Sequence, residues 1–183
     1  MEKGNLIDVA YNLVQLMDKG ADTYLPQEIV DVVKLHSKLA VGSAWIPVPG
    51  ADVAAGAANI WGMYIRINNK INLPLKENVI KTIGSGVATN LVSYITLSGV
   101  ASALKFIPGI GSLGGALILS ASLYAITLAS GWVYLKALCL LAEKSGPQLN
   151  VDDLGGAIKQ VLADKEFIKK FIDQAKRDYK KNS

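Results

Sequence analysis

TIGSGVATNLVSYITLSGVASALKFIPGIGSLGGALILSASLYAITLASGWVYL, residues 82–135, holds a single charged side chain, that of Lys105. Near that charge lies a break, Ile107-Pro108-Gly109-Ile110-Gly111. Charge-free runs flank Lys105 at 82–104 and 106–135. Each is long enough to cross the ~30 Å hydrocarbon core of a bilayer as a helix, for which ~20 residues suffice. The reading is a hydrophobic helical hairpin over about 82–141, with amphipathic helices around it.

The rest of the chain supplies those helices. Leu6, Ile7, Val9, Ala10, Leu13, Val14, Leu16 and Met17 recur at helical spacing, and Gly20 ends the segment. A second helix starts near Pro26, which suits a first helical position, and stops before Trp45. A third runs from about Asp52 to Asn69, with Asp52 at the positive end of its dipole. The stretch 68–74 reads as a turn, and Pro74 opens a helix that reaches about Lys105. The next runs from about Ser112 to Glu143, where Ser145-Gly146-Pro147 stops it. Asn150 is a cap for a short helix, and Asp164 a cap for the last, over about 164–181. No alternating β pattern is present. The expectation is one all-α domain, 1–183: a bundle of about seven helices around the central hairpin.

The break at Pro108 has an echo. Trp45-Ile46-Pro47-Val48-Pro49-Gly50-Ala51 and Phe106-Ile107-Pro108-Gly109-Ile110-Gly111-Ser112 both read aromatic-Ile-Pro-x-x-Gly-small. Proline forbids continuing the helix and glycine supplies backbone freedom. Pro47, Gly50, Pro108, Gly109 and Gly111 are therefore read as hairpin-turn residues. Duplication of a two-helix unit is one account of the echo.

The two arms of the hairpin differ. Residues 82–104 include eleven small polar or glycine positions, among them Ser85, Gly86, Thr89, Asn90, Ser93 and Thr96 near one face. That composition inserts poorly alone and is expected to pack closely on another helix. Residues 118–141 are the better spanning candidate, with Trp132 and Tyr134 placed for an aromatic belt near Lys136. Arg66, Lys70, Lys76 and Lys81 precede the hairpin, Lys136, Lys144 and Lys159 follow it, and Lys105 sits at its tip. The positive-inside rule then puts both ends in the cytoplasm. The competing reading is a soluble bundle whose central hairpin is apolar all round because it is buried all round.

Composition favours contact with lipid. Hydrophobic residues make up 51% and charged residues 19%, below the roughly 25% of ordinary soluble domains. The net charge is +4. Lys165, Lys169, Lys170, Lys176, Arg177, Lys180 and Lys181 lie beside an apolar stripe of Phe167, Ile168, Phe171, Ile172, Ala175 and Tyr179. This is the pattern of a helix on an anionic membrane surface, and more commonly that of a basic terminal helix docked on a core. Lys165, Lys169, Lys170, Lys176, Arg177 and Trp132 are the candidate lipid-contacting residues. The aromatic-plus-basic interleaving of a nucleic-acid platform is missing, so no nucleic-acid partner is expected. The lone Cys139 forbids an internal disulfide. No apolar segment of signal-peptide length precedes Asp8 and Asp18, so secretion by a cleaved signal is not expected.

Catalytic patterns are weak. Gly109-Ile110-Gly111-Ser112-Leu113-Gly114 matches G-x-G-x-x-G, but a predicted helix precedes it and the next acid is Glu143. A dinucleotide site needs a strand before it and an acid ~20 positions on. His36 is the only histidine and is read as lying at a helix surface; Cys139, among leucines, is read as buried. Asp52, the lone acid of the apolar stretch 39–65, is read as a helix-start residue. No cofactor, no metal and no enzymatic activity are expected.

Ile46-Pro47-Val48-Pro49-Gly50-Ala51-Asp52 before an apolar helix, and Lys105-Phe106-Ile107-Pro108-Gly109-Ile110-Gly111-Ser112, resemble the bacterial YcjF-like family of unknown function. The resemblance covers about residues 35–141. It implies an inner-membrane or hydrophobic helical domain, often attached after a small GTPase domain. This chain has no GTPase domain, so such a partnership would act in trans. The family supplies no catalytic residues. In architecture alone the pattern is also similar to pore-forming bacteriocin domains. The expected role is non-enzymatic membrane association on the cytoplasmic side of the inner membrane, or in the cytoplasm with membrane association, with a soluble-to-inserted change. The alternative is a soluble helical interaction module, homo-oligomeric or acting with a GTPase.

The turn reading has a direct test in thermal unfolding. Pro108→Ala is expected to be milder than Gly111→Val, because a β-branched residue does not readily take positive φ. Equal melting temperatures for Gly111→Val and the parent would remove the conformational role of Gly111.

Overall fold

The structure is a computed structural model, and it describes residues 27–43, 51–73, 75–96, 114–145 and 151–182. Among them are six α-helices: α1 (Gln27–Ser43), α2 (Ala51–Lys70), α3 (Glu77–Thr96), α4 (Gly114–Ser145), α5 (Leu154–Leu162) and α6 (Lys165–Asn182). A 3-10 turn, Val151–Asp153, leads into α5. The described residues contain no strand, as the all-α reading expects. The helix expected over Leu6–Met17, the tip at Lys105 and the turn residues Pro47, Gly50, Pro108, Gly109 and Gly111 lie outside the described residues.

The long helix α4 is the centre. It contacts α1 most extensively, then α6, α5, α3 and α2. Ala121, Ala125 and Ala129, spaced four apart, are fully covered, as are Leu128, Val133, Leu135 and Leu138. Its apolar residues occupy every side of the helix, so only a sheath of other helices can bury them. Small residues set how closely that sheath approaches. A Cβ on Gly131 would overlap the Val33 side chain of α1, with Val33 Cγ2 only 2.8 Å away.

Direction along α4 follows from paired contacts. Gly56 of α2 faces Leu123, Tyr64 bonds Ser130 and Tyr134 bonds Asn68, so α2 runs parallel to α4. Between α1 and α2, Lys70 pairs with Glu28 at 2.8 Å and Asn59 meets His36, so these two are antiparallel. A left-handed Asn72 (φ 52°) closes α2, letting Leu73 N–H reach Asn68 C=O at 3.0 Å. This is the six-to-one bond of a Schellman stop, and asparagine tolerates the conformation better than most residues.

The expectation for α3 needs correction. Gly86, Thr89, Asn90 and Ser93 are exposed rather than packed. The buried face is Ile80, Gly84, Val87 and Leu91. Larger apolar side chains remove more area from water than small polar ones, so they set the orientation. One small residue does serve close approach: a Cβ on Gly84 would stand 2.8 Å from Trp61 Cδ1. The neighbouring Trp61 Nε1–H donates to Ser85 Oγ at 3.2 Å.

Gly131 and Gly86 form a matched pair for testing the packing. Gly131→Ala is expected to destabilise by about 1–3 kcal/mol through overpacking. Gly86→Ala, with nothing within 4 Å of its Cβ, is expected to stabilise by about 0.4–1 kcal/mol through lower unfolded-state entropy. Urea midpoints for the two variants should move in opposite directions.

Candidate membrane-interaction surface

The terminal helix has two faces because its sequence has two. Ile168, Phe171, Ile172, Ala175 and Tyr179 recur at three- and four-residue spacing and are buried. Asp164 caps the start: its Oδ1 accepts the Phe167 N–H at 3.1 Å, as the sequence predicts. The buried face lies on α4. Trp132 of α4 meets Phe167 at 4.7 Å and Phe171 at 5.8 Å between ring centroids. Nearer the other end of α6, Tyr124 meets Tyr179 at 5.3 Å. These pairs make α6 antiparallel to α4 and fix it at both ends.

The other face is basic. Lys165, Lys169, Lys170, Arg177, Lys180 and Lys181 are exposed, with Glu166 exposed among them. Arg177 Nη2 donates to Gln174 Oε1 at 2.7 Å, and Gln174 Nε2 donates to both Asp178 carboxylate oxygens. Lys176 stands apart from its neighbours in sequence. It is half-buried, and burial pushes its ammonium below the usual lysine range. Trp132, read from the sequence as placed for an aromatic belt, is inside the bundle in this structure. It is 7% exposed, and α6 covers it with Phe167 and Phe171. An antiparallel aromatic partner was not readable from either helix by itself.

Beneath α6 is the one helix among the described residues that is long and apolar enough to cross a membrane, Ile118–Lys144. Its most apolar window is 83% buried inside the bundle, which is equally the condition of a soluble core helix. It is not wholly apolar. Ser120, Ser122, Thr127 and Ser130 are buried along it. Tyr64 of α2 shares a 2.7 Å hydrogen bond with Ser130 Oγ and donates to Ser130 C=O at 3.0 Å. Tyr134 O–H donates to Asn68 Oδ1 at 2.8 Å, and the Tyr64 and Tyr134 rings stack 4.1 Å apart. These bonds tie α4 to α2 through groups that would be costly to bury unpaired.

His36 overturns the surface reading made from residue type. It is 4% exposed and occupies the buried register of Ile29, Val32, Val33 and Ala40. That register was present in the sequence. Cys139 is buried, as expected. Helix α2 starts at Ala51, which puts Asp52 in its first turn. Among the described residues no group of three or more His, Cys, Asp or Glu side chains is placed to hold a metal ion. Comparison with known protein families, with curated proteins and with solved structures finds no match.

Phe171 is the position that tests docking of α6. Phe171→Ala is expected to cost about 3–5 kcal/mol, as for other buried aromatic truncations. It should also shift Trp132 emission to the red as water reaches the ring. Lys169→Glu with Lys170→Glu should leave both the emission and the melting temperature nearly unchanged, since both side chains are exposed.

Proposed function

We propose that this chain is a non-enzymatic, membrane-associated helical protein of the cytoplasmic side of the inner membrane. In this reading α6 engages anionic lipid and α4 is the element that inserts. The observation that carries it is the division between the two helices. The outer face of α6 keeps Lys165, Lys169, Lys170, Arg177, Lys180 and Lys181 in solvent while its apolar face covers Trp132 and the middle of α4. Each basic residue near an anionic surface adds roughly 1 kcal/mol of attraction, screened by salt. The 27 residues of Ile118–Lys144 extend about 40 Å at 1.5 Å per residue, more than the hydrocarbon thickness.

Insertion in this scheme requires α6 and α1 to leave α4. The bonds from Tyr64 to Ser130 and from Tyr134 to Asn68 favour α2 staying with it. The hairpin expected from the sequence enters as α3 and α4 together.

A second reading, a soluble interaction module that self-associates or works with a GTPase in trans, has the 83% burial of the α4 window on its side. Leu35 and Leu39, one turn apart and exposed on α1, give such a partner an apolar contact.

Vesicle flotation over a salt series separates the readings. Wild type is expected to float with anionic vesicles at low salt, with binding falling as salt rises. Lys169→Glu, Lys170→Glu and Arg177→Glu together should weaken flotation. Asp at Leu123 and Ile126 should leave initial binding and abolish protease protection of α4, because a charge at bilayer depth costs roughly 2.5–3.5 kcal/mol on the insertion scale. If wild type does not float with anionic vesicles at low salt, the soluble module replaces this proposal.

A further inference from the structure

The largest contact of α4 is with α1, and α1 is held to α2 by a part-buried polar contact that the membrane reading does not use. Asn59 Nδ2–H donates to the His36 backbone carbonyl at 2.7 Å. That bond orients the amide and leaves Asn59 Oδ1 facing His36 Nδ1 at 2.8 Å. Oδ1 can only accept, so Nδ1 carries the ring proton. The neutral ring therefore keeps Nε2 bare, and buried Nε2 has no hydrogen-bond partner among the described residues. Cε1, the atom between the two nitrogens, stands 3.3 Å from where a Cβ on Gly62 would be.

We propose that the His36–Asn59 contact is an acid-sensitive latch: protonation of His36 parts α1 from α2 and loosens the sheath over α4. A second ring proton must sit on Nε2, where no described residue offers an acceptor, and it brings a charge into the helix interface. Such an unpaired buried charge is far less tolerable than the neutral ring.

Among the described residues the surrounding charges offer no rescue. On α2 the charged group whose field reaches the ring is Arg66, which disfavours a second cation. The one acid of α2, Asp52, is seven residues before Asn59, about 10 Å along the axis. Helix α4 has no acid before Glu143. On α1 itself Glu28 pairs with Lys70 and Asp31 with Lys34. Burial accordingly holds the imidazole below its ordinary value; the Asn59 hydrogen bonds oppose this and Arg66 adds to it.

The direction of the pH effect follows. In the unfolded chain His36 takes up its proton near pH ~6.5, and in the bundle only at lower pH. Below ~6.5 the unfolded state therefore holds more protons, and stability falls as the solution is acidified. Loss of the α1–α2 contact also loosens the Val33–Gly131 approach, because Val33 is on α1. Acidity at an anionic surface would thus favour release of α4, an extension that rests on the membrane reading; the latch itself does not.

The full-length chain in solution tests the latch, and its single histidine makes the titration unambiguous. Imidazole NMR is expected to show the Nδ1–H tautomer and a pKa below ~6.5. Amide exchange in α1, corrected for intrinsic rates, should speed up between pH about 7.5 and about 5.5. His36→Asn, whose Nδ2 stands where Nδ1 does, should remove that acceleration whatever its effect on stability. Asn59→Asp, which puts a carboxylate against Nδ1, should raise the titration of His36 and suppress the acceleration. The proposal is overturned if wild-type His36 titrates at or above ~6.5, if α1 exchange does not respond to acid, or if His36→Asn responds as wild type does. Anionic vesicles at the same two pH values separate the two claims. Acid-loosened exchange in solution without vesicle binding upholds the latch and sinks the membrane reading.

Discussion

An α-helix that is apolar around its whole circumference has no side to turn toward water, and α4 is such a helix. Everything described in this bundle is arranged by the need to cover it. Helix α1 reaches it where Gly131 gives Val33 room. Helix α6 covers it with an aromatic cluster at Trp132 and a tyrosine pair at Tyr124. Helix α2 adds the hydrogen bonds to Ser130 and Tyr134. Hydrophobic burial is non-directional, so it alone would accept many arrangements of these helices. The close approach at Gly131 and the two polar ties restrict the choice.

The same covering gives the two functional readings a common physical basis. A helix sheathed on every side is a good soluble core, and α4 is by length and composition also able to cross a membrane. What differs is the free energy of the sheath and what competes with it. In the membrane reading proposed above, an anionic surface would compete through the basic face of α6, and in the proposed latch acid would compete through His36. Both would act on helices that contact α4 directly, so neither needs to alter α4 itself.

The sequence made the helical class and much of the placement legible, because those features are local. The turn around Asn72, the cap at Asp164 and the apolar stripe of α6 are set by residues within a few positions of one another. The dominance of the stretch containing α4 was equally plain from its lack of charge. Features that depend on a distant helix were not legible. The contact of Trp132 with Phe167 and Phe171 is one such feature. The small polar positions of α3 read as a packing seam, yet Ile80, Val87 and Leu91 turn the helix the other way. His36 is the instructive exception: its register with Val32, Val33 and Ala40 indicated burial, and residue type indicated the surface. Register is the stronger signal here, and of the two ring nitrogens Nδ1 meets Asn59.

The central claim is that α4 is sheathed in solution and meets acyl chains at a membrane. A spin label at Leu123, which is half-buried, placed by Leu123→Cys in a Cys139→Ala background of the full chain, tests it most directly. Collision with oxygen and with a water-soluble nickel chelate reports the surroundings of the label. The account expects low accessibility to both in solution. With anionic vesicles it expects oxygen accessibility to rise well above that of the nickel chelate. A label that stays shielded from both while the protein is bound to vesicles would contradict it.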